Sequence, residues 1–206
     1  MSEKELSTLQ VILITGKNEF LEKGYAGASL RNIAREAGVT TGAFYGYFKS
    51  KAELFDALVK EQYDTFLAKY CRAQTDFAEQ PDEKQLVSMG EISGQCMEEL
   101  LEYAYDHLDE FRLILCCSEG TKYAGLIDEM VDIEMQATHD YIKVLRRSGK
   151  KVPDIDPVLE HILITGMFNA FFEMIIHEMP REQAEIYLKE MRTFYTAGWF
   201  RIMGLE

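Results

Sequence analysis

Proline and positive charge are both scarce in this chain. Four prolines in 206 residues leave long stretches without a breaker, which disfavours a many-turned β fold and suits helices. Lys and Arg number 22 against 35 Asp and Glu, a net charge of −13. That balance excludes a protein whose whole surface grips a polyanion. Cysteine is limited to Cys71, Cys96, Cys116 and Cys117. With no CxxC spacing and no His at zinc-finger spacing, they read as small buried hydrophobes rather than disulfide partners or metal ligands. The adjacent pair Cys116 and Cys117 keeps a thiol- or metal-responsive role open.

Motifs of catalysis are missing too. The chain has no GxSxG, P-loop, GxGxxG or HExxH, so no enzyme reading has a motif behind it. None of His107, His139, His161 and His177 stands three or four residues from another His or Cys, so neither a metal site nor a cofactor is expected. The segment from Met1 to Glu5 is polar and acidic, unlike a secretory signal, and a cytoplasmic protein is expected. The most apolar stretch, Ile162 to Ile176, has 15 residues and contains Asn169 and Glu173. It falls short of the roughly 18 that suggest a membrane span, and reads as a buried helix with no membrane partner.

What the chain does have is helical periodicity and an uneven charge distribution. Residues 1–51 carry seven Lys/Arg and five Asp/Glu; residues 52–206 carry fifteen and thirty. The acidity therefore belongs to the second region, and any contact with phosphate must come from the first. Apolar residues recur at helical spacing from residue 6 to 23, from Leu30 after the capping Ser29, and from Thr40 or Thr41 to Phe48. Ser50 and Glu53 have capping-box spacing at the head of a long helix to about Phe77. Further helices are expected at about 82–107, 109–118, 123–147, 156–177 and 181–203. The fold class is all-α, with roughly nine helices. Residues 1–51 are expected to form a three-helix unit of helix-turn-helix type, and residues 52–206 a larger helical domain.

The informative segment is Ser29 to Lys51. Two short helices joined by a tight turn at Gly38 can pack through Ile33, Ala34, Ala37, Val39, Phe44 and Phe48. The second then presents Thr40, Thr41, Gly42, Ala43, Tyr45 and Tyr47 outward. That face suits a major groove: threonine and alanine methyls can meet thymine methyls, and tyrosine hydroxyls can donate to phosphate oxygens. Lys51 sits at a helix start, where backbone N–H groups also favour phosphate. Arg31 can reach phosphate or a base. Two outward tyrosines, on either side of Gly46, stand where a structural helix usually carries Lys or Glu.

The run Phe44-Tyr-Gly-Tyr-Phe-Lys-Ser-Lys-Ala-Glu-Leu54, with Ser29 to Ala43 before it, resembles the amino-terminal domain of the TetR family of repressors. The resemblance covers about the first quarter of the chain. It implies a homodimer that binds palindromic double-stranded operator DNA and is released by a small-molecule effector held in the larger domain. Carried over by position, Thr40, Thr41, Gly42 and Ala43 lie at base edges. Tyr45, Tyr47 and Lys51 hold the backbone, with Ser29 and Arg31 in support. The chain departs from the family's pattern at Thr41, where Lys or Arg is frequent, and at Gly46, where a bulkier residue is usual.

For the larger domain the resemblance implies a pocket and a dimer interface. Small and apolar residues on the last two helices (Ile162, Gly166, Asn169, Ala170, Phe194, Tyr195, Gly198 and Ile202) could pair two protomers as a four-helix bundle. The middle helices are rich in Met, aromatic and Cys residues, including Met89, Cys96 and Met130. Met97, Leu100, Tyr103, Phe111, Cys116, Tyr123, Ile127, Phe168 and Phe172 are expected to line a site for an apolar or amphipathic ligand. Three readings stay open: an effector-released repressor, a thiol- or metal-responsive regulator, and a helical small-molecule-binding or interaction protein without DNA binding.

Overall fold

The computed structural model describes residues 6–205. Among them are nine α-helices, one 3-10 turn and no strand. The helices are α1 (Thr8–Gly27), α2 (Leu30–Glu36), α3 (Thr41–Tyr47), α4 (Lys51–Ala78), α5 (Asp82–Asp106), α6 (Leu108–Cys116), α7 (Leu126–Arg147), α8 (Pro157–Ile176) and α9 (Arg181–Met203), with the 3-10 turn at Lys122–Gly125.

Local chemistry sets most of these limits. Ser7 caps α1 in a reciprocal capping box with Gln10, satisfying two otherwise unpaired N–H groups. Gly24, at φ +67°, breaks the helical path of α1. The Ser29 and Thr40 hydroxyls accept from the Asn32 and Ala43 N–H groups at the heads of α2 and α3. At α4, Ser50 accepts from the Glu53 N–H at 3.1 Å, but the Glu53 carboxylate returns to the Lys49 N–H rather than that of Ser50. Asp156 accepts from the Val158 and Leu159 N–H groups at the head of α8, with Pro157 in its first turn. α7 carries Asp128 and Glu129 in its first turn and Arg146 and Arg147 in its last, matching the helix dipole at both ends.

The helices form two compact units. The first takes the chain up to Asp64 together with Asp109–Ala124. Its core includes Ile12, Phe20, Ile33, Phe44, Leu54 and Phe55, all at most 1% exposed. The Tyr25 N–H donates to the Cys117 carbonyl at 2.7 Å, and Lys17 Nζ to Asp109 Oδ2 at 2.6 Å. These bonds tie the later segment into the unit.

The second unit takes Thr65–Leu108 and the chain from Gly125 onward. Its core is aromatic: Phe66, Phe168, Phe171 and Phe172 are fully buried. The Phe66 and Phe172 rings lie 5.9 Å apart, and those of Phe171 and Phe172 5.1 Å apart, edge to face. α8 differs from the buried helix its composition suggests. Ile164, Phe168, Phe171 and Ile175 are buried, but Val158, Leu159 and Ile162 stand exposed at 67%, 46% and 58%. The exposed apolar residues lie at the start of α8, while His161, Asn169 and Glu173 share its outer side.

Candidate nucleic-acid interface and effector cavity

In the first unit, α2 and α3 meet through Ile33, Ala34 and Phe44, which are at most 1% exposed. Gly38 makes the connection at φ +68°, a conformation a β-carbon would strain. Burying Phe44 contributes about 1.5–3 kcal/mol and fixes the rotation of α3. That rotation leaves Thr40, Thr41, Gly42, Ala43, Tyr45 and Tyr47 exposed, with Ser29 and Arg31 exposed at the head of α2. The Thr40 hydroxyl caps its own helix, accepting from the Ala43 N–H at 3.1 Å.

Lys51 is turned differently. Its ammonium donates to the carbonyls of Ala26 and Ala28, 3.1 Å from each, and lies 4.8 Å from the centre of the Tyr25 ring. The side chain closes the end of α1, so what Lys51 offers outward is the start of α4 more than a free ammonium.

A buried acid that sequence reading passed over organises this module. Glu19 is 6% exposed. Its carboxylate accepts from the Ser29 N–H at 3.1 Å, the Asn32 amide at 2.6 Å and Lys23 Nζ at 2.9 Å. Burial pushes its pKa up, but the bonds from Lys23, Ser29 and Asn32 outweigh this and hold the acid below the usual range. Glu19 thereby pins the start of α2 to α1. An isolated Glu in the middle of a helix carries no sequence sign of such a role.

The later segment of the same unit carries a second polar cluster. Lys122 Nζ lies 2.8 Å from Asp56 Oδ1, and the Tyr123 hydroxyl donates to the same oxygen. Lys122 first and Tyr123 second hold the Asp56 carboxyl low, while burial and then Asp56 push the Tyr123 phenol up. Phe111 and Tyr123 are core residues here and Cys116 is exposed. All three belong to this unit rather than to the one that holds the cavity.

The cavity lies in the second unit, among α4, α5, α7, α8 and α9, with a volume of about 140 Å³. Five methionines border it (Met89, Met97, Met167, Met191 and Met203), with Phe77, Tyr141, Phe171, Tyr195 and Trp199. Of the side chains expected to line a site, Met97 does so. Leu100, Phe168 and Phe172 are fully buried in the core instead. Tyr103 packs near Lys69 and His107, and Ile127 is half-buried away from the cavity. Core and cavity draw on the same residue types at the same helical spacing, so periodicity does not separate them.

Two polar groups mark the cavity wall. Glu134 Oε2 accepts from the Tyr70 hydroxyl and from Gln74 Nε2, the latter at 2.8 Å. Burial raises the Glu134 carboxyl despite those bonds, and burial followed by Glu134 raises the Tyr70 phenol well above its ordinary value. Arg192 Nη2 donates to the Gly90 carbonyl at 2.6 Å. The Cys96 thiol is pushed up to about 12, chiefly by burial, which makes it a poor nucleophile at neutral pH.

The expected interface residues divide by exposure. Ile162, Gly166, Asn169, Phe194 and Gly198 are exposed, Ala170 and Ile202 are half-buried, and Tyr195 borders the cavity. Ile186 and Tyr187, at 59% and 44%, extend the apolar surface of α9.

Residues 12–58 match the family of bacterial regulatory proteins called tetR. The chain is 26% identical over 147 residues to the "Probable HTH-type transcriptional regulator YttP" of Bacillus subtilis, covering 71% of this chain and 67% of that protein. It is 24% identical over 172 residues to the "Probable acrEF/envCD operon repressor" of Escherichia coli K12, covering 82% and 76%. Other relatives match over 28% and 24% of their own length. The fold is similar to that of SCO3833, a TetR-family member from Streptomyces coelicolor, with a TM-score of 0.56 and 14% identity over 94% of this chain and 92% of that one.

Proposed function

We propose that the chain, a TetR-family transcriptional regulator, is a dimeric repressor released from palindromic operator DNA by a small molecule bound in the cavity among α4, α5, α7, α8 and α9. The observation that carries this reading is the outward Thr40–Tyr47 surface of α3, held by a buried packing face in one unit, together with a Met- and aromatic-lined cavity in the other. Residues 1–51 are the DNA-binding part and residues 52–206 the effector-binding and dimerisation part.

Thr40, Thr41, Gly42 and Ala43 read base edges in the major groove, where the lack of bulk lets the helix approach closely. Tyr45 and Tyr47 bind phosphates, with Arg31, Ser29 and the start of α4 at Lys51 in support. A second copy covers the exposed apolar faces of α8 and α9, around Ile162 and Phe194, and the two-fold axis matches the two half-sites. The protein works in the cytoplasm, where its operator is, and its role is regulatory rather than enzymatic. The raised Cys96 thiol favours a non-covalent effector over a thiol switch at the cavity.

Fluorescence anisotropy with a labelled duplex from upstream of the chain's own gene tests this. The expected result is salt-sensitive binding that a scrambled duplex does not compete away. Equal affinity for both duplexes at every salt concentration overturns the repressor reading.

A further inference from the structure

One acid on the cavity wall has no cation of its own. Glu134 Oε2 takes its two hydrogen bonds from neutral donors, the Tyr70 hydroxyl and the Gln74 amide. Among the described contacts Oε1 takes none, and among the described residues no Lys, Arg or His forms an ion pair with Glu134. A second acid repels the negative charge of Glu134, a repulsion that an incoming cation relieves. Glu160 is 1% exposed, with Oε2 2.8 Å from His139 Nε2 and Oε1 unpartnered, and it acts on Glu134 electrostatically.

The cationic group on the same wall is already engaged. Arg192 donates to the Gly90 carbonyl at 2.6 Å and stands 3.9 Å from Glu98 Oε1. Among the charged groups described on this wall, Glu134 is the one left without an opposite charge beside it. Tyr141, Tyr195 and Trp199 border the space, and aromatic rings attract cations through their negative faces.

We infer that the effector is a small organic cation, an ammonium or amidinium that pairs with Glu134 while an apolar body fills the methionine-lined space. This rests on the reading of the cavity as the effector site. The volume of about 140 Å³ suits a body near one aromatic ring, since an apolar cavity of about 150 Å³ accepts benzene. The flexible methionines can adjust to its shape.

Trp199 is the chain's single tryptophan and borders the cavity, so its fluorescence reports occupancy without DNA. The full chain is titrated with three probes of similar size: 2-phenylethylamine, 2-phenylethanol and phenylacetate. The ammonium is expected to bind at least tenfold tighter than the alcohol or the acid. Glu134→Gln is expected to erase that preference while the circular dichroism spectrum and thermal melt stay as in the unsubstituted protein. If the alcohol or the acid binds as tightly as the ammonium, the cation assignment is overturned and the cavity remains an effector site. If none of the three changes Trp199 emission, the effector reading of the cavity falls with it, and the DNA-binding reading of α3 stands.

Discussion

The Arg192 guanidinium lies flat against the backbone of α5 at Gly94, where a β-carbon would stand 2.0 Å from Arg192 Cζ. The glycine is there to admit the arginine, which reaches past it to the Gly90 carbonyl. This contact joins α5 to α9 along the cavity wall.

Gly94→Ala should displace the guanidinium, the far end of a flexible side chain, and the lost bond to Gly90, about 1 kcal/mol, should roughly cancel the helix-propensity gain of alanine. In an Arg192→Ala background the obstacle is gone, and the same substitution should raise stability by up to about 1 kcal/mol through helix propensity. Denaturant melts of the two single variants and the double variant check this. An equal effect of Gly94→Ala in both backgrounds would contradict it.

Tyr45→Phe with Tyr47→Phe should weaken binding to all duplexes alike, by roughly tenfold per hydroxyl. A neutral hydroxyl releases no counterion, so the salt dependence should not change. Arg31→Ala, by contrast, should lower the slope of log affinity against log salt by about one. Thr41→Ala should alter which bases are preferred. Anisotropy over a panel of duplexes and salt concentrations separates the three outcomes.

Phe194 is 74% exposed in the single chain. Phe194→Glu should leave the protomer's melt nearly unchanged, because the side chain packs little within it. It should weaken self-association by about 2 kcal/mol or more, roughly thirtyfold, with loss of operator affinity. Sedimentation equilibrium measures the first effect directly, and a dimer of undiminished strength would remove Phe194 from the interface.

Glu19 supplies a pH dependence. Its carboxyl is held below the ordinary range of a glutamate when folded. Its contribution to stability is therefore fully present above about pH 4.5 and is lost as pH falls through the lower folded value. Thermal melts followed at acid pH should show a steeper loss in the unsubstituted protein than in Glu19→Gln, which is less stable at neutral pH. Parallel pH profiles for the two would mean that the bonds to Ser29, Asn32 and Lys23 do not stabilise the fold.

The amino-acid sequence by itself determined the helices and the exposed face of α3. Capping acts over three or four residues, so Ser7, Ser29, Thr40 and Asp156 mark helix starts without reference to anything distant. The periodic burial of Ile33, Ala34, Phe44 and Phe48 decides which side of α3 stays outside, which is why the tyrosines were legible as a surface. Tertiary structure alone decided the rest. Phe168 fills the core while Phe171, three positions along the same helix, borders the cavity, and no local rule distinguishes them. Glu19 and Glu134 look like ordinary helix-surface acids until distant residues supply Ser29 and Asn32 for one and Tyr70 and Gln74 for the other. Caps and periodicity are short-range, whereas a cavity, or a buried charge and its partners, exists only where helices far apart in sequence converge.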